Sequence, residues 1–213
     1  MDTTFSVLTK SEYRKYITNS LSYQAYREHL SDKLRQMTEG AEFEKSEFFK
    51  INEARMNRID KTYHASDDIQ NMLKKVTHPL HWLVLTEHWC GDSAQILPIL
   101  YKIASMSEGR ITLHLLERDS NPELMDAHLT EGSRSIQKLI QLDNHMNISG
   151  VWGPRPKEAQ LLVKKLKSDP ETAKTYSEAL HAWYTADKGR SIESDVLLLL
   201  EKGTKFCPEC LAG

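Results

Sequence analysis

The sequence has few cysteines, no long apolar run and almost no net charge, and each shortage excludes a class of protein. Its three cysteines are an odd number and too few for a framework of disulfide bonds. The longest aliphatic run, residues 196–200, is far shorter than the stretch of about 20 residues that a membrane-spanning helix needs. A net charge of −2 gives no electrostatic attraction for nucleic acid or an anionic membrane, so we expect neither partner.

The overall composition is ordinary for a soluble globular protein, with 39% hydrophobic and 27% charged residues. A chain of 213 residues is long enough to bury a core, and it predicts one domain with elaborated ends. The first 16 residues contain no apolar segment typical of a secretory signal peptide. Together with the few cysteines, this favours a reducing, cytoplasmic location.

The segment around Cys90 is the most informative part of the chain. An apolar run of strand length, residues 80–86, leads into a break at Gly91 and Asp92, and apolar residues then recur at helical spacing over residues 96–103. This pattern predicts a buried strand, a turn and a helix, with Cys90 where the helix begins. A helix N-terminus presents unpaired N–H groups and the positive end of the helix dipole, and both favour a thiolate over a thiol.

The rest of the chain shows the pattern of an α/β fold with helices at both ends. Apolar residues at helical spacing predict three helices before the Cys90 segment, over residues 23–37, 45–61 and 67–76. Strands are predicted after it, a parallel one over residues 111–117 and an edge hairpin over residues 138–142 and 148–152. Three C-terminal helices are predicted, over residues 156–167, from an N-cap at Asp169, and over residues 191–202 with Gly203 as the stop.

Four motifs, in this order, resemble those of thioredoxin-like proteins. Residues 89–93, Trp-Cys-Gly-Asp-Ser, are similar to the active-site motif Trp-Cys-Gly-x-Cys, and Pro98 stands where the family has the proline of its active-site helix. Residues 119–122, Asp-Ser-Asn-Pro, resemble the family's Asp-x-Asn-Pro, and residues 134–137, Arg-Ser-Ile-Gln, stand in place of its Arg-x-Ile-Pro loop. The resemblance implies a thioredoxin-like core with a mixed central sheet and flanking helices.

The resemblance also implies how the chain is organised. The expected parts are a helical N-terminal extension (residues 1–77), the thioredoxin-like core (78–153), C-terminal helices packed on the core (154–203) and a tail (204–213). The extension is similar to that of a bacterial branch of the family, on the pattern of residues 51–58. Within it, either the helices only stabilise the sheet, or Arg55 or Arg58 reaches the Cys90 site and holds an anionic partner.

The resemblance implies that Cys90 is the nucleophile of a thiol–disulfide exchange. Ser93 replaces the second cysteine; it can hydrogen-bond to the thiolate but cannot resolve a mixed disulfide, so the site would act as a monothiol. The implied substrate-binding residues come from the motif and from the loop that faces it: Trp89, Gly91, Asp92, Arg134, Ile136 and Gln137. The alternative is that Cys90 is a small apolar filler of the core.

Several positions depart from the family pattern. Val84 and Leu115 stand where thioredoxins have a buried aspartate and its lysine partner. Gln137 replaces a proline, and a cis bond before a non-proline residue costs about 2.5–4 kcal/mol. The loop is therefore either reshaped, or it keeps a cis bond for function.

The charged neighbours of Cys90 have opposing effects on its ionisation. A cationic His88 would favour the thiolate, or could carry the proton that Val84 cannot, whereas Glu87 and Asp92 would oppose the thiolate by like charge. The alternative is that all three are solvated loop side chains.

Cys207 and Cys210 form a second candidate site in the tail, as Cys-Pro-Glu-Cys. This spacing suits a redox pair that would resolve a mixed disulfide on Cys90, or half of a zinc site that needs further ligands; incidental thiols at a chain end are the alternative. The other histidines show no spacing typical of metal ligands, so the sequence predicts no bound metal and no cofactor.

The sequence thus favours a thioredoxin-like protein that exchanges thiols and disulfides through Cys90. If it is an enzyme, it would be a thiol–disulfide oxidoreductase, and its partner a protein or a low-molecular-weight thiol or disulfide. Two other functions stay open. One is a non-catalytic binding module of the same fold, and the other is a redox- or zinc-responsive protein that works through Cys207 and Cys210.

Overall fold

The structure of the protein, a computed structural model, describes residues 8–37 and 41–205. In chain order the elements are α1 (Lys10–Thr18), α2 (Tyr23–Gln36), α3 (Ala41–Thr62), α4 (Asp67–Lys75), β1 (Leu80–Thr86), α5 (Gly91–Ser105), β2 (Ile111–Glu117), α6 (Pro122–Asp126), β3 (Lys138–Asp143), β4 (Ile148–Trp152), α7 (Lys157–Ser168), α8 (Tyr176–Asp187) and α9 (Arg190–Lys205). The strands form one sheet in the order β2-β1-β3-β4, with β1 parallel to β2 and antiparallel to β3. The predicted α/β fold, a mixed sheet between helical segments, is confirmed.

The central strand β1 is buried on both faces of the sheet. Its side chains alternate between two apolar clusters, as the pleat of a strand requires. Leu80, Trp82 and Val84 belong to the larger one, called here the Trp82 cluster, which also contains buried residues of α2, α3, α4, α5, α8 and α9. Leu83 and Leu85 belong to the smaller one, the Leu83 cluster, together with residues of α1 and α6. Burial on both faces explains why this strand is apolar throughout rather than alternating.

The segment before α2 extends the sheet at the edge of β2. Leu21 exchanges two backbone hydrogen bonds with Leu115, of 2.8 Å and 2.9 Å. An edge strand with unpaired N–H and C=O groups tends to recruit other chains, and this contact covers part of that edge. Within the described residues, none of the helices combines the length and the apolar character that crossing a bilayer requires.

Gly203 does not end the last helix, contrary to the prediction, because α9 continues to Lys205. A Cβ atom at Gly203 would lie 2.6 Å from Gln141 Nε2 and 3.2 Å from Leu80 Cδ1. The glycine therefore allows α9 to approach the sheet closely. The prediction was wrong because a glycine needed for packing and a glycine that stops a helix look alike in sequence.

The predicted helix start at Asp169 is also wrong, since α8 begins at Tyr176. Asp169 instead closes a turn: its Oδ1 accepts a hydrogen bond from Glu171 N at 2.9 Å, and its carbonyl accepts one from Ala173 N at 2.8 Å. Aspartate caps helices and initiates turns through the same kind of side-chain-to-backbone bond, so the local sequence does not separate the two.

Candidate functional site

Cys90 is the N-cap residue of α5, at the end of the loop that leaves β1. Its backbone N–H donates to the carbonyl of Glu87 at 3.1 Å, and its own carbonyl accepts from Ala94 N at 3.2 Å. The first bond closes the loop that follows β1, and the second belongs to the first turn of α5. The Cys90 side chain is only 7% exposed and belongs to the Leu83 cluster, as does Ile136 of the facing loop.

Burial decides the ionisation of the Cys90 thiol. Burial raises the pKa of Cys90, and the Asp92 carboxylate raises it further. The Ser93 hydroxyl and the N–H groups of Ser93 and Asp92 lie where they would donate to a thiolate, which lowers this pKa as expected at a helix N-terminus, but they do not outweigh burial. Cys90 is therefore a protonated thiol at neutral pH, not the thiolate that its position alone favours.

The Ser93 side chain lies beside Cys90 and is buried. Ser93 is 1% exposed, and its Oγ has no well-formed hydrogen bond to any described residue. A hydroxyl that is buried without a partner carries a desolvation cost. A thiolate on Cys90 would supply the missing acceptor.

Trp89 is the exposed residue of the motif, with 44% of its surface accessible. The guanidinium carbon of Arg118 lies 5.2 Å from the centre of its ring, which is a cation–π distance. Arg118 Nη1 also donates to the carbonyl of Arg134 at 3.1 Å. Through Arg118, the structure brings the Trp89 motif and the 134–137 loop together.

The 134–137 loop contains a cis peptide bond between Ile136 and Gln137, as the second of the two predicted alternatives describes, and the role of that bond in function stays a prediction. The Gln137 side chain is fully buried, and neither of its amide atoms has a hydrogen-bond partner among the described residues. Arg134 is exposed, and its Nε and Nη2 donate to the two carboxylate oxygens of Asp126, both at 2.6 Å. Of these loop residues, Ile136 is the one that shares a cluster with Cys90.

Asp92 is buried, with 6% of its surface exposed, and its carboxylate has two partners within the chain. Arg155 Nη2 lies 2.6 Å from Oδ2, and the Tyr184 hydroxyl donates to Oδ1 at 2.7 Å. Asp92 therefore connects the start of α5 to the C-terminal part of the chain. Sequence reasoning missed Arg155, whose only local signal is its place between Pro154 and Pro156.

Arg55 reaches the start of α5, as the second of the predicted alternatives required. A Cβ atom at Gly91 would lie 3.2 Å from Arg55 Nη1 and 2.7 Å from His181 Nε2, so a larger residue would have to displace the His181 ring. Arg55 Nη1 donates to Asn52 Oδ1 at 2.8 Å, and no carboxylate of the described residues forms an ion pair with it. The anionic partner in this alternative stays a prediction.

Positive charge accumulates on this side of α5. Burial lowers the pKa of His181 to about 4, and the nearby guanidinium groups of Arg55, Arg155 and Arg58 lower it further in the same direction. Arg58 itself donates through Nη2 to Gln95 Oε1 at 3.1 Å. His181 is thus held neutral next to the arginines.

Glu87 and His88 are buried, as Asp92 is, so the interpretation of these three as solvated loop side chains was wrong. Glu87 Oε1 accepts from Asp119 N at 2.8 Å, and burial raises the pKa of Glu87. Burial lowers the pKa of His88, whose ring is stacked on Tyr26 at 4.0 Å between centres. At neutral pH His88 is therefore not the cation that would favour a thiolate.

The second candidate site cannot be compared with the structure, because Cys207 and Cys210 lie outside the described residues. Their roles as a resolving pair or as zinc ligands stay predictions.

Comparison with known sequences extends the similarity beyond the motifs. A family model described as Thioredoxin matches residues 20–167, which spans α2 to α7. Thioredoxin 1 of Nostoc sp. (strain PCC 7120 / SAG 25.82 / UTEX 2576) is 31% identical over 80 residues, which cover 37% of this chain and 72% of that protein. The region that the family model matches includes part of the helical segment before β1, which the motifs alone do not cover.

Two solved structures share the fold. One is a protein of unknown function from Pseudomonas aeruginosa, with a TM-score of 0.61 and 17% identity, covering 90% of this chain and 98% of that one. The other is an HIV epitope scaffold, with a TM-score of 0.57 and 16% identity, covering 89% of this chain and 97% of that one. Identities this low support a common fold and nothing about activity.

Proposed function

This chain belongs to the thioredoxin family, and we propose that it carries out thiol–disulfide exchange through Cys90 alone. The observation that carries the proposal is the position of Cys90 as the N-cap of α5, where the Ser93 hydroxyl and two backbone N–H groups are placed to donate to a thiolate. Three donors stabilise the thiolate once it forms, and they would also stabilise the sulfur charge that develops in the exchange.

In the proposed reaction, the Cys90 thiolate attacks one sulfur of a disulfide. A new disulfide forms between Cys90 and that sulfur, the original S–S bond breaks, and the other sulfur leaves as a thiolate that takes a proton from water. Ser93 cannot attack the mixed disulfide, so an external thiolate does so, and Cys90 is released. The external thiol ends in a new disulfide with the substrate sulfur, so the cycle converts one disulfide and one thiol into another disulfide and another thiol, and the electrons balance.

The substrate that we propose is a protein or low-molecular-weight disulfide. Trp89 and Arg118 form the exposed surface beside Cys90, and an extended segment docked there would meet the 134–137 loop. We propose a cytoplasmic location, because the second half of the cycle needs a supply of free thiol.

A second function, a non-catalytic binding module, is favoured by a different observation. Cys90 is 7% exposed, and burial raises its pKa, which are properties of an inert cysteine. In that case the same surface of Trp89 and Arg118 would bind a partner without covalent chemistry.

Oxidised glutathione distinguishes the two functions. In a Cys207→Ser/Cys210→Ser chain, we expect one adduct on Cys90 of the folded protein, formed faster as the pH rises and released by added thiol. Intact-mass spectrometry measures both steps, and Cys90→Ser is the control. If the folded protein forms no adduct at pH 9 while the urea-unfolded chain does, the exchange proposal is wrong and the binding module stands.

A Ser93→Cys variant tests whether the missing second thiol limits the chemistry. We expect it to gain disulfide reductase activity, because the new thiol can resolve the mixed disulfide. No gain would indicate that Val84 and Gln137 limit the chemistry instead.

A further inference from the structure

Three side chains with metal-binding groups meet at the loop that leads from β1 to Cys90. They are His29 of α2, His88 of the loop before Cys90 and Glu117 at the end of β2. One ligand atom from each lies within 4.8 Å of the other two. We propose that these three residues bind a zinc ion.

The separations of the two histidine nitrogens from the Glu117 carboxylate agree with tetrahedral zinc. Glu117 Oε1 lies 3.4 Å from His29 Nδ1 and 3.3 Å from His88 Nε2. Zinc binds imidazole nitrogen and carboxylate oxygen at about 2.0–2.2 Å, which places two tetrahedral ligands about 3.3–3.6 Å apart. An ion therefore fits between Glu117 and each histidine with little movement.

His88 supplies an independent indication of a ligand. The residue is 2% exposed, yet neither ring nitrogen has a well-formed hydrogen bond to a described residue, and the 3.3 Å contact with Glu117 lacks hydrogen-bond geometry. Buried polar atoms almost always have a partner. The ring is held in place by Tyr26, stacked at 4.0 Å, and by the edge contact with His29 at 5.3 Å. A metal ion would give this oriented ring the partner that it lacks.

The donor set favours zinc among the common divalent cations. Two imidazoles and one carboxylate suit zinc, whereas magnesium and calcium prefer oxygen ligands alone. Three protein ligands leave a fourth tetrahedral position for water or a small ligand. Solvent reaches the site past His29, whose side chain is 42% exposed.

Lys33 competes with the ion for Glu117. Its Nζ lies 2.7 Å from Glu117 Oε1, where it neutralises the carboxylate. The Lys33 side chain is 31% exposed, so it can turn its ammonium group into solvent when the ion binds. Loss of this lysine should therefore strengthen zinc binding, which is the opposite of what loss of a ligand would do.

Direct binding tests the site without reference to catalysis. The protein is the full chain with Cys207→Ser and Cys210→Ser, so that the tail thiols cannot bind the probe. Titration with Co²⁺, followed by visible absorption, and with Zn²⁺, followed by calorimetry, should show one equivalent bound. His29→Gln should weaken binding by about tenfold or more. Lys33→Met should tighten it.

His29 is the ligand to change because it is the most exposed, and circular dichroism would verify that the variant folds. His64→Gln is the matched control, since His64 is an exposed histidine outside the site, and it should leave the affinity unchanged. Absence of saturable binding, or equal affinities for the His29 and His64 variants, would overturn the proposal. Failure of the glutathione experiment would not, because metal binding does not require a reactive Cys90.

Discussion

Cys90 and Asp92 both lie at the N-terminus of α5, yet their surroundings are opposite. Both side chains are buried, at 7% and 6% exposed. Cys90 packs in the apolar Leu83 cluster, whereas the Asp92 carboxylate contacts the Arg155 guanidinium at 2.6 Å and the Tyr184 hydroxyl at 2.7 Å. The comparison shows that a position at a helix N-terminus does not by itself set the surroundings of a buried side chain. The partners that the rest of the chain brings decide them.

We expect the largest effect from Asp92→Asn, which should lower the free energy of unfolding. This change leaves Arg155 as a buried cation without its carboxylate, and breaking such a pair costs about 3–5 kcal/mol. Asp126→Asn is the matched control, because Arg134 also contacts Asp126 at 2.6 Å, but on the surface. Urea unfolding should show a large decrease in the free energy of unfolding for Asp92→Asn and no measurable decrease for Asp126→Asn. Equal losses would mean that burial of the pair does not matter.

The next effect is on the pH dependence of stability, through His181. Its pKa is about 4 in the folded chain and about 6.5 when unfolded, so the unfolded chain binds more protons between these values. The contribution of neutral His181 to the free energy of unfolding is therefore fully present above about pH 6.5 and is lost as the pH falls toward 4. His181→Gln should reduce this slope by at most about 1.4 kcal/mol per pH unit.

Urea unfolding at several pH values between 7 and 4 measures this slope. The exposed His64 is the control, and His64→Gln should leave the slope unchanged. A His181→Gln slope equal to that of the original chain would contradict the assignment of a neutral, buried His181.

A smaller effect is expected on the reactivity of Cys90. Burial and the Asp92 carboxylate raise the pKa of Cys90. In the Cys207→Ser/Cys210→Ser chain, the alkylation rate should therefore still increase at pH values above the pKa of a free cysteine, which is about 8.5. Asp92→Asn removes a like charge and should speed alkylation at pH 7 by roughly several-fold. Asp126→Asn should not change the rate. A slower Asp92→Asn variant would reverse the sign of the inferred interaction.

The smallest effect is expected for Ser93→Ala. Its hydroxyl lowers the pKa of Cys90, so its loss should leave less thiolate and slow alkylation by roughly twofold at a given pH. Thiol alkylation in the same double-serine background measures the change. An unchanged rate would mean that the backbone N–H groups alone stabilise the thiolate, and that Ser93 serves only to fill space.

Sequence patterns were sufficient for elements whose character is local. The strands over residues 80–86 and 111–117 have the predicted bounds, because apolar runs of strand length between turn formers have few alternatives. The helix beginning after Cys90 follows for the same reason. The errors at Asp169 and Gly203 concern residues with two local uses, where contacts distant in sequence select one.

The candidate site was predictable only in part. The motif and the facing loop were found from the resemblance, and the structure places Ile136 and Cys90 in one cluster. Arg155 and Tyr184 were missed as partners of Asp92, because no periodicity connects an arginine between two prolines to a helix far earlier in the chain. His29, His88 and Glu117 were missed for a similar reason, since they come from three elements and have no ligand spacing.

By itself, the sequence determined that a buried strand would lead through a turn into a helix with Cys90 at its start. That outcome depends on backbone geometry and on the spacing of nearby apolar residues. Only the tertiary structure decided the ionisation of Cys90, the ion pair of Asp92 and the convergence of His29, His88 and Glu117. Desolvation and Coulomb interactions depend on which groups lie within a few ångströms, and that is set by how distant segments pack.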